Sequence, residues 1–309
     1  MDGIFFLVLA FLTMFLSIKL SYYGDALSKQ TKLGSAFIGG LLIASITSLP
    51  ELVTSISAVL INNPSLSFGD ILGSDMFNIF VLAIYNIWFF KKKIFKNTDS
   101  KYKYECIILI IEYILILIGI TTPFYNLATI TLIIMYVLYM IKVIKTNSDD
   151  NNKTEYVKNP LIKFIICSVF LILLSILLTL QADKITHIYP KISSSTVGAI
   201  LLGITTSIPE VVSTYALLKL NNIDMSISNM LGSNIFNFLI LALSDIFVKN
   251  SHIYNYSDIY SLEYLVGGIL ITSLLLITMI KKDKNRLFYF VISIVMSLIY
   301  LLVWYFQFK

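Results

Sequence analysis

The chain has 309 residues, 57% of them hydrophobic and 13% charged, with a formal net charge of +5 and a mean hydropathy of +0.84. That composition excludes a soluble domain wrapped around an apolar core and points to a protein that crosses a bilayer many times. The positive charge does not point to nucleic acid, because the basic residues fall in short connections between apolar runs, where membrane topology accounts for them.

The first run, Gly3 to Leu20, has neither a basic leader nor a small-residue cleavage site after it, so it is expected to be a retained first helix. Apolar runs predict ten membrane helices, over 3–20, 33–62, 65–90, 104–121, 124–144, 161–182, 191–220, 223–248, 261–280 and 286–308. The second and seventh are too long for one straight span, as expected if Pro50 and Pro209 interrupt tilted helices. The expected class is therefore an all-α polytopic membrane protein forming one transmembrane domain over 1–309.

With the N-terminus outside, 19 of the 23 Lys and Arg residues fall on inner connections, leaving Lys184, Lys191, Lys249 and Lys309 on the other side. Both termini are thus predicted to be extracellular, with the chain in the cell membrane. The cluster Lys91-Lys92-Lys93, with Lys96, Lys101 and Lys103, is accounted for by that topology without a lipid-headgroup site. The stretch 146–160 is the one flexible polar linker, and it divides the chain into halves, 1–145 and 161–309, of five helices each. Five is odd, so the second half enters from the opposite side and the halves form inverted repeats. Cys106 and Cys167 imply no disulfide framework, and His187 and His252 fall in outer connections as ordinary loop histidines.

Within the second run stands Thr47-Ser48-Leu49-Pro50-Glu51, which recurs 159 residues later as Thr206-Ser207-Ile208-Pro209-Glu210. The offset persists to Gly73-Ser74 against Gly232-Ser233 and to Asn78 against Asn237. A carboxylate deep in a membrane helix costs about 2.5–3.5 kcal/mol on insertion scales, so Glu51 and Glu210 call for a compensating cation. Each proline removes a backbone donor and loosens the helix four residues earlier, around Ile46 and Thr205, which frees carbonyl oxygens in a lined cavity. Carbonyls, hydroxyls and carboxylates make an oxygen-only cage of the kind that suits Na⁺ or Ca²⁺ and not zinc, copper or iron.

Ser74 with Asn78, and Ser233 with Asn237, are four residues apart and present hydroxyl and amide oxygens on one helix face, while Gly73 and Gly232 supply small-residue helix contacts. Asp75 shares the stripe of 71, 74 and 78, and its counterpart is Asn234; Asp70 corresponds to Asn229. For these two acids direct ligation, protonation, pairing with a neighbouring donor and exposure to water all remain open.

Thr-Ser-Leu/Ile-Pro-Glu followed by Gly-Ser-Asp/Asn-x-Phe-Asn, twice, resembles the α-repeats of the sodium/calcium exchangers in the cation/Ca²⁺ antiporter superfamily. The resemblance implies Na⁺-driven Ca²⁺ extrusion by alternating access to one set of oxygens. Carried over by position, it implies that Glu51 and Glu210 bind Ca²⁺ together with the carbonyls of Thr47 and Thr206. Ser48, Ser74, Asn78, Ser207, Ser233 and Asn237 would complete flanking Na⁺ positions, with the carbonyls of Ala44 and Gly203 as further contributors. Segments 3–20 and 161–182 would slide across this core to switch access. The expected partners are Ca²⁺, Na⁺ and the lipid bilayer, with no resident cofactor, no enzyme activity, no nucleic acid and no obligate second copy.

The chain departs from many members at Ile46 and Thr205, where Gly is common, and at Asp70 and Asp75, where Asn is common. The linker is too short for the cytosolic calcium-sensing domains of animal exchangers, so none is expected. The nearest alternative is H⁺/Ca²⁺ antiport through the same glutamates. An intramembrane aspartyl protease using Asp70 and Asp75 fails on geometry, since two acids five apart on one helix do not converge as a dyad. A channel on the same fold would differ by conducting without a counter-ion.

Overall fold

Apolar length decides which helices can cross the bilayer, and local capping chemistry decides where several of them begin. The computed structural model describes residues 2–30, 48–89, 94–97, 102–146, 157–219, 223–281 and 285–308, and these are helical apart from short connections. The first half comprises α1 (Asp2–Gln30), α2 (Leu49–Leu60), α3 (Pro64–Trp88), the single turn α4 (Ile94–Asn97), α5 (Lys103–Thr121) and α6 (Tyr125–Thr146). The second comprises α7 (Pro160–Ile188), α8 (Ser194–Val197), α9 (Gly203–Thr206), α10 (Ile208–Lys219), α11 (Ile223–Phe247), α12 (Ile259–Ile280) and α13 (Arg286–Gln307).

Eight of these helices are long and apolar enough to span a bilayer, and α8 to α10 make a ninth span bent by 42° at Ser207. The tenth expected span, 33–62, is described only from Ser48 onward. Ala44, Ile46, Thr47, Lys91 to Lys93, Lys101 and residues 147–156 of the linker lie outside the described residues. The architecture is that of ten helices in two inverted five-helix repeats.

Helix ends follow the sequence. Asn63 caps α3 by accepting from the Leu66 amide, with Pro64 in the first turn where no donor is needed. Asp258 and Ser261 form a reciprocal capping box at α12. Two helices outrun their predicted limits, α1 reaching Gln30 instead of Leu20 and α7 reaching Ile188 instead of Ala182. Hydropathy marks the part of a helix that sits in lipid; the more polar residues beyond it include no proline, so the turn continues past the apolar run.

The long helices α3 and α11 form the centre, with 72% and 78% of their spanning windows buried. α1 and α7 pack on each other at the periphery, presenting Ile4, Leu7 and Phe11, and Val169, Phe170 and Leu173, outward as a lipid face. On their inner side α1 touches α9 and α10, while α7 lies against α2, where the Thr179 hydroxyl reaches the Thr54 carbonyl at 3.5 Å. Each of the two outer helices therefore crosses one of the repeated motifs.

The second repeat's interrupted span has a feature that Pro209 does not explain. Between α8 and α9 the chain makes a π-helical turn over Gly198–Leu202, so the irregularity begins well before the Thr205 carbonyl that the proline releases. Close packing accounts for the position. A Cβ on Gly198 would stand 2.2 Å from the Leu66 carbonyl oxygen, and one on Gly73 would stand 2.4 Å from the Ala199 Cα. Gly69 and Gly73 on α3 thus let two backbones touch, so both expected roles of Gly73-Ser74, packing and presentation of a hydroxyl, hold at once.

Candidate cation site

Ser48 stands at the N-cap of α2, where a serine hydroxyl ordinarily satisfies a free amide of the first turn. Here it makes no such bond. Its Oγ donates instead to Glu210 Oε1 at 3.1 Å and lies 2.9 Å from Ser233 Oγ. The partner motif does the same in return, Ser207 Oγ donating to Glu51 Oε1 at 3.3 Å. Serine of each repeat thus meets glutamate of the other, which requires the two motifs to face one another about a local two-fold axis.

Glu51 and Glu210 are both fully buried and lie in the first turns of α2 and α10. The positive end of each half-helix there favours negative charge. Glu51 Oε2 is buried with no hydrogen-bond partner among the described residues. Ser233 also reaches Glu210 Oε1, at 3.4 Å, and Ser74 donates to the Gly203 carbonyl at 3.1 Å. Thr206 is buried, its hydroxyl turned back to the Leu202 carbonyl at 2.9 Å.

One turn further along α3 and α11 the same reciprocity appears. Asn78 donates to Asn234 Oδ1 at 2.9 Å, and Asn237 donates to Asp75 Oδ1 at 2.9 Å. Asn234 also donates to the Asp75 carbonyl at 2.9 Å. The amide oxygens of Asn78 and Asn237 are buried without a partner among the described residues. Of the ten expected site residues, nine are therefore brought to one buried seam between the repeats, and Thr47 lies outside the described residues.

Asp70 is occupied in another way. Its Oδ2 accepts from Thr54 at 2.6 Å and from Ser55 at 3.2 Å, bracing α2 to α3. In the second repeat Asn229 occupies the equivalent position and donates to Ser213 at 2.9 Å and Thr214 at 3.0 Å. The brace recurs in both repeats with its polarity reversed, so Asp70 pairs with neighbouring donors at the edge of the seam, close enough to Glu51 to act on it electrostatically.

Glu112 is a buried acid that the reading of the sequence passed over. It is the middle residue of α5, in the run Ile-Ile-Glu-Tyr-Ile-Leu. A lone carboxylate in the centre of an apolar span was the signal, and it went unused because no repeat marks it.

The family profile described as sodium/calcium exchanger protein matches residues 3–145 and 160–309. The chain belongs to the sodium/calcium exchanger family. As a member it is an integral membrane transporter and not an enzyme, and the ions its family handles are cargo in place of any cofactor. Among curated relatives, the uncharacterized membrane protein MJ0091 of Methanocaldococcus jannaschii is 26% identical over 236 residues, covering 71% of this chain and 76% of that one. The inner membrane protein YrbG of Escherichia coli is 22% identical over 237 residues, covering 72% of each.

Among solved structures, native YfkE superposes with a TM-score of 0.73 at 16% identity, over 100% of this chain and 93% of that one. The sodium-calcium exchanger NCX_Mj soaked with Na⁺ and Sr²⁺ gives 0.64 at 22% identity, over 97% of each. These likenesses extend the exchanger fold over the whole chain.

Proposed function

We propose that this exchanger-family protein extrudes Ca²⁺ against Na⁺ by alternating access to the seam between its repeats. Glu51 and Glu210 bind Ca²⁺ with the carbonyls of Thr47 and Thr206, and Ser48, Ser74, Asn78, Ser207, Ser233 and Asn237 furnish the neighbouring Na⁺ positions. The observation that carries this reading is the crossed pair Ser48 to Glu210 and Ser207 to Glu51, which gathers two buried carboxylates and two hydroxyls at one point. Hard oxygens and the absence of His and Cys from these contacts suit Na⁺ and Ca²⁺. The printed identity of NCX_Mj as a sodium-calcium exchanger supports the same cargo.

Two buried carboxylates with no ion between them are costly to carry through a low-dielectric barrier, so the protein turns over only when loaded, and exchange is obligate. α1 and α7, packed together and each laid across one motif, are the elements that move to expose the seam to either side. Both chain ends face outward in the cell membrane, a reading that the Lys and Arg distribution supports.

Protons are the alternative driving ion, and the additional buried acids Asp70, Asp75 and Glu112 are what favours that second reading. Sealed proteoliposomes separate the two. Uptake of ⁴⁵Ca²⁺ driven by an outward Na⁺ gradient and indifferent to an imposed pH gradient is the expected result. Uptake that follows the pH gradient with Na⁺ absent overturns Na⁺ coupling, and uptake with no counter-ion at all overturns exchange.

A further inference from the structure

We propose that Asp75 and Glu112 form a second cation site, between α3, α5 and α11, that takes one alkali-metal ion beside the glutamate centre. The inference goes beyond the exchange reading and depends on it only for the identity of that neighbouring centre.

Glu112 lies nine residues from either end of α5, at mid-depth in the bilayer, and is fully buried. Both of its carboxylate oxygens lack a hydrogen-bond partner among the described residues, as do Asp75 Oδ2 and the Tyr113 hydroxyl. α11 brings these groups together. Asn237 holds Asp75 Oδ1, and the next residue, Phe238, meets the Tyr113 ring edge-on with centroids 4.8 Å apart. Asp75 is close enough to act electrostatically on Glu112, and both act on Tyr113. α12 closes the far side through Gly268, where a Cβ would come within 2.4 Å of the Tyr113 hydroxyl, so a larger residue would displace that oxygen.

Neither acid has a salt-bridge partner among the described residues. Two carboxyl groups left without donors in a dry interior cannot both stay charged unaided, so one alkali ion balances the Glu112 carboxylate while Asp75 keeps a proton. The unpartnered oxygens on offer among the described residues are four: both of Glu112, Oδ2 of Asp75 and the Tyr113 phenol. That is short of the six to eight oxygens that Ca²⁺ takes. Among the described residues no three acids, histidines or cysteines converge as a metal cluster either. An alkali ion, whose single charge matches the one carboxylate left ionised, fits better than a divalent ion.

In the second repeat the 159-residue offset puts Asn234, Ile271 and Thr272 where the first has Asp75, Glu112 and Tyr113, so this pair of acids belongs to the first repeat alone. Asp70 contrasts with them, since its counterpart Asn229 keeps the same brace.

The test is equilibrium binding of ²²Na⁺ and ⁸⁶Rb⁺ to the purified full-length chain in lipid nanodiscs, at concentrations that saturate the wild type. Glu112→Gln is expected to bind about one alkali ion fewer per chain with at least one of the two tracers. Wild-type counts with both overturn the site. If Glu112→Gln does not give monodisperse protein, Glu112→Asp keeps the charge on a shorter arm: alkali-ion affinity lowered about tenfold supports the site, and wild-type affinity overturns it. An infrared band of protonated carboxyl that persists in saturating Na⁺ and vanishes in Glu112→Gln overturns it as well, since a proton then fills the role of the ion. The glutamate centre is read separately by ⁴⁵Ca²⁺ binding to Glu51→Gln; retained Ca²⁺ there sinks the central reading and leaves the alkali-ion count to decide this one.

Discussion

Replacing Gly73 by alanine puts a methyl group where two backbones meet. The new Cβ would stand 2.4 Å from the Ala199 Cα, 2.6 Å from its Cβ and 2.6 Å from its carbonyl oxygen. Ordinary carbon contacts lie at about 3.5 Å, so α3 and the π-helical turn must part by about 1 Å. None of the three neighbours is the flexible end of a side chain, so the backbone itself has to give. Overpacking of this kind costs about 1–3 kcal/mol. The opening is felt at once by the next residue, because Ser74 donates to the Gly203 carbonyl at 3.1 Å. About 1 Å more takes that contact beyond hydrogen-bonding range, which ends near 3.5 Å. Gly73→Ala is therefore expected to lower the thermal unfolding midpoint in detergent and, in proteoliposomes, to reduce Na⁺-driven ⁴⁵Ca²⁺ uptake. Gly3→Ala, whose Cβ would meet nothing within 4 Å, serves as the control. Wild-type stability together with wild-type uptake in Gly73→Ala would refute the claim that backbone contact at the seam sets the position of Ser74.

Glu51→Gln and Glu210→Gln should each weaken half-saturation by Ca²⁺ about 10- to 150-fold in flux assays, from the 1.5–3 kcal/mol attached to interactions of a buried charge; unchanged half-saturation in either variant contradicts the proposed site. Ser48→Ala is expected to harm uptake more than Ser207→Ala, because among the described residues the Ser48 hydroxyl touches Glu210 and Ser233 whereas that of Ser207 touches Glu51, and equal or reversed effects in parallel vesicle preparations count against that geometry. Asp70→Asn should keep stability and uptake close to wild type, since an amide can donate to Thr54 and Ser55 as Asn229 does to Ser213 and Thr214. Asp70→Ala should cost about 1–3 kcal/mol by removing the acceptor that ties Thr54 and Ser55 of α2 to α3, measured by thermal unfolding, and an Asn variant as damaged as the Ala variant would mean that the charge itself is required.

Membrane class, span positions, the repeat and the two glutamates were all legible in the amino-acid order. Lipid forces apolar residues into runs of fixed length, and a proline next to an acid inside such a run is too costly to be silent. Asp70 and Asp75 look alike in sequence, five residues apart on one helix, and only packing separated them, giving the first to the Thr54 and Ser55 hydroxyls and the second to Asn237. The π-helical turn at Gly198–Leu202 arises from contact with α3, which no local propensity encodes. The surroundings of Glu112 come from α11, more than a hundred residues away in sequence, which carries Asn237 to Asp75 and Phe238 to the adjacent Tyr113. Local sequence thus determined which groups are expensive to bury, because that cost belongs to each residue and its solvent. The tertiary structure decided which of those groups share their cost, because sharing depends on distances between helices that the linear order does not contain.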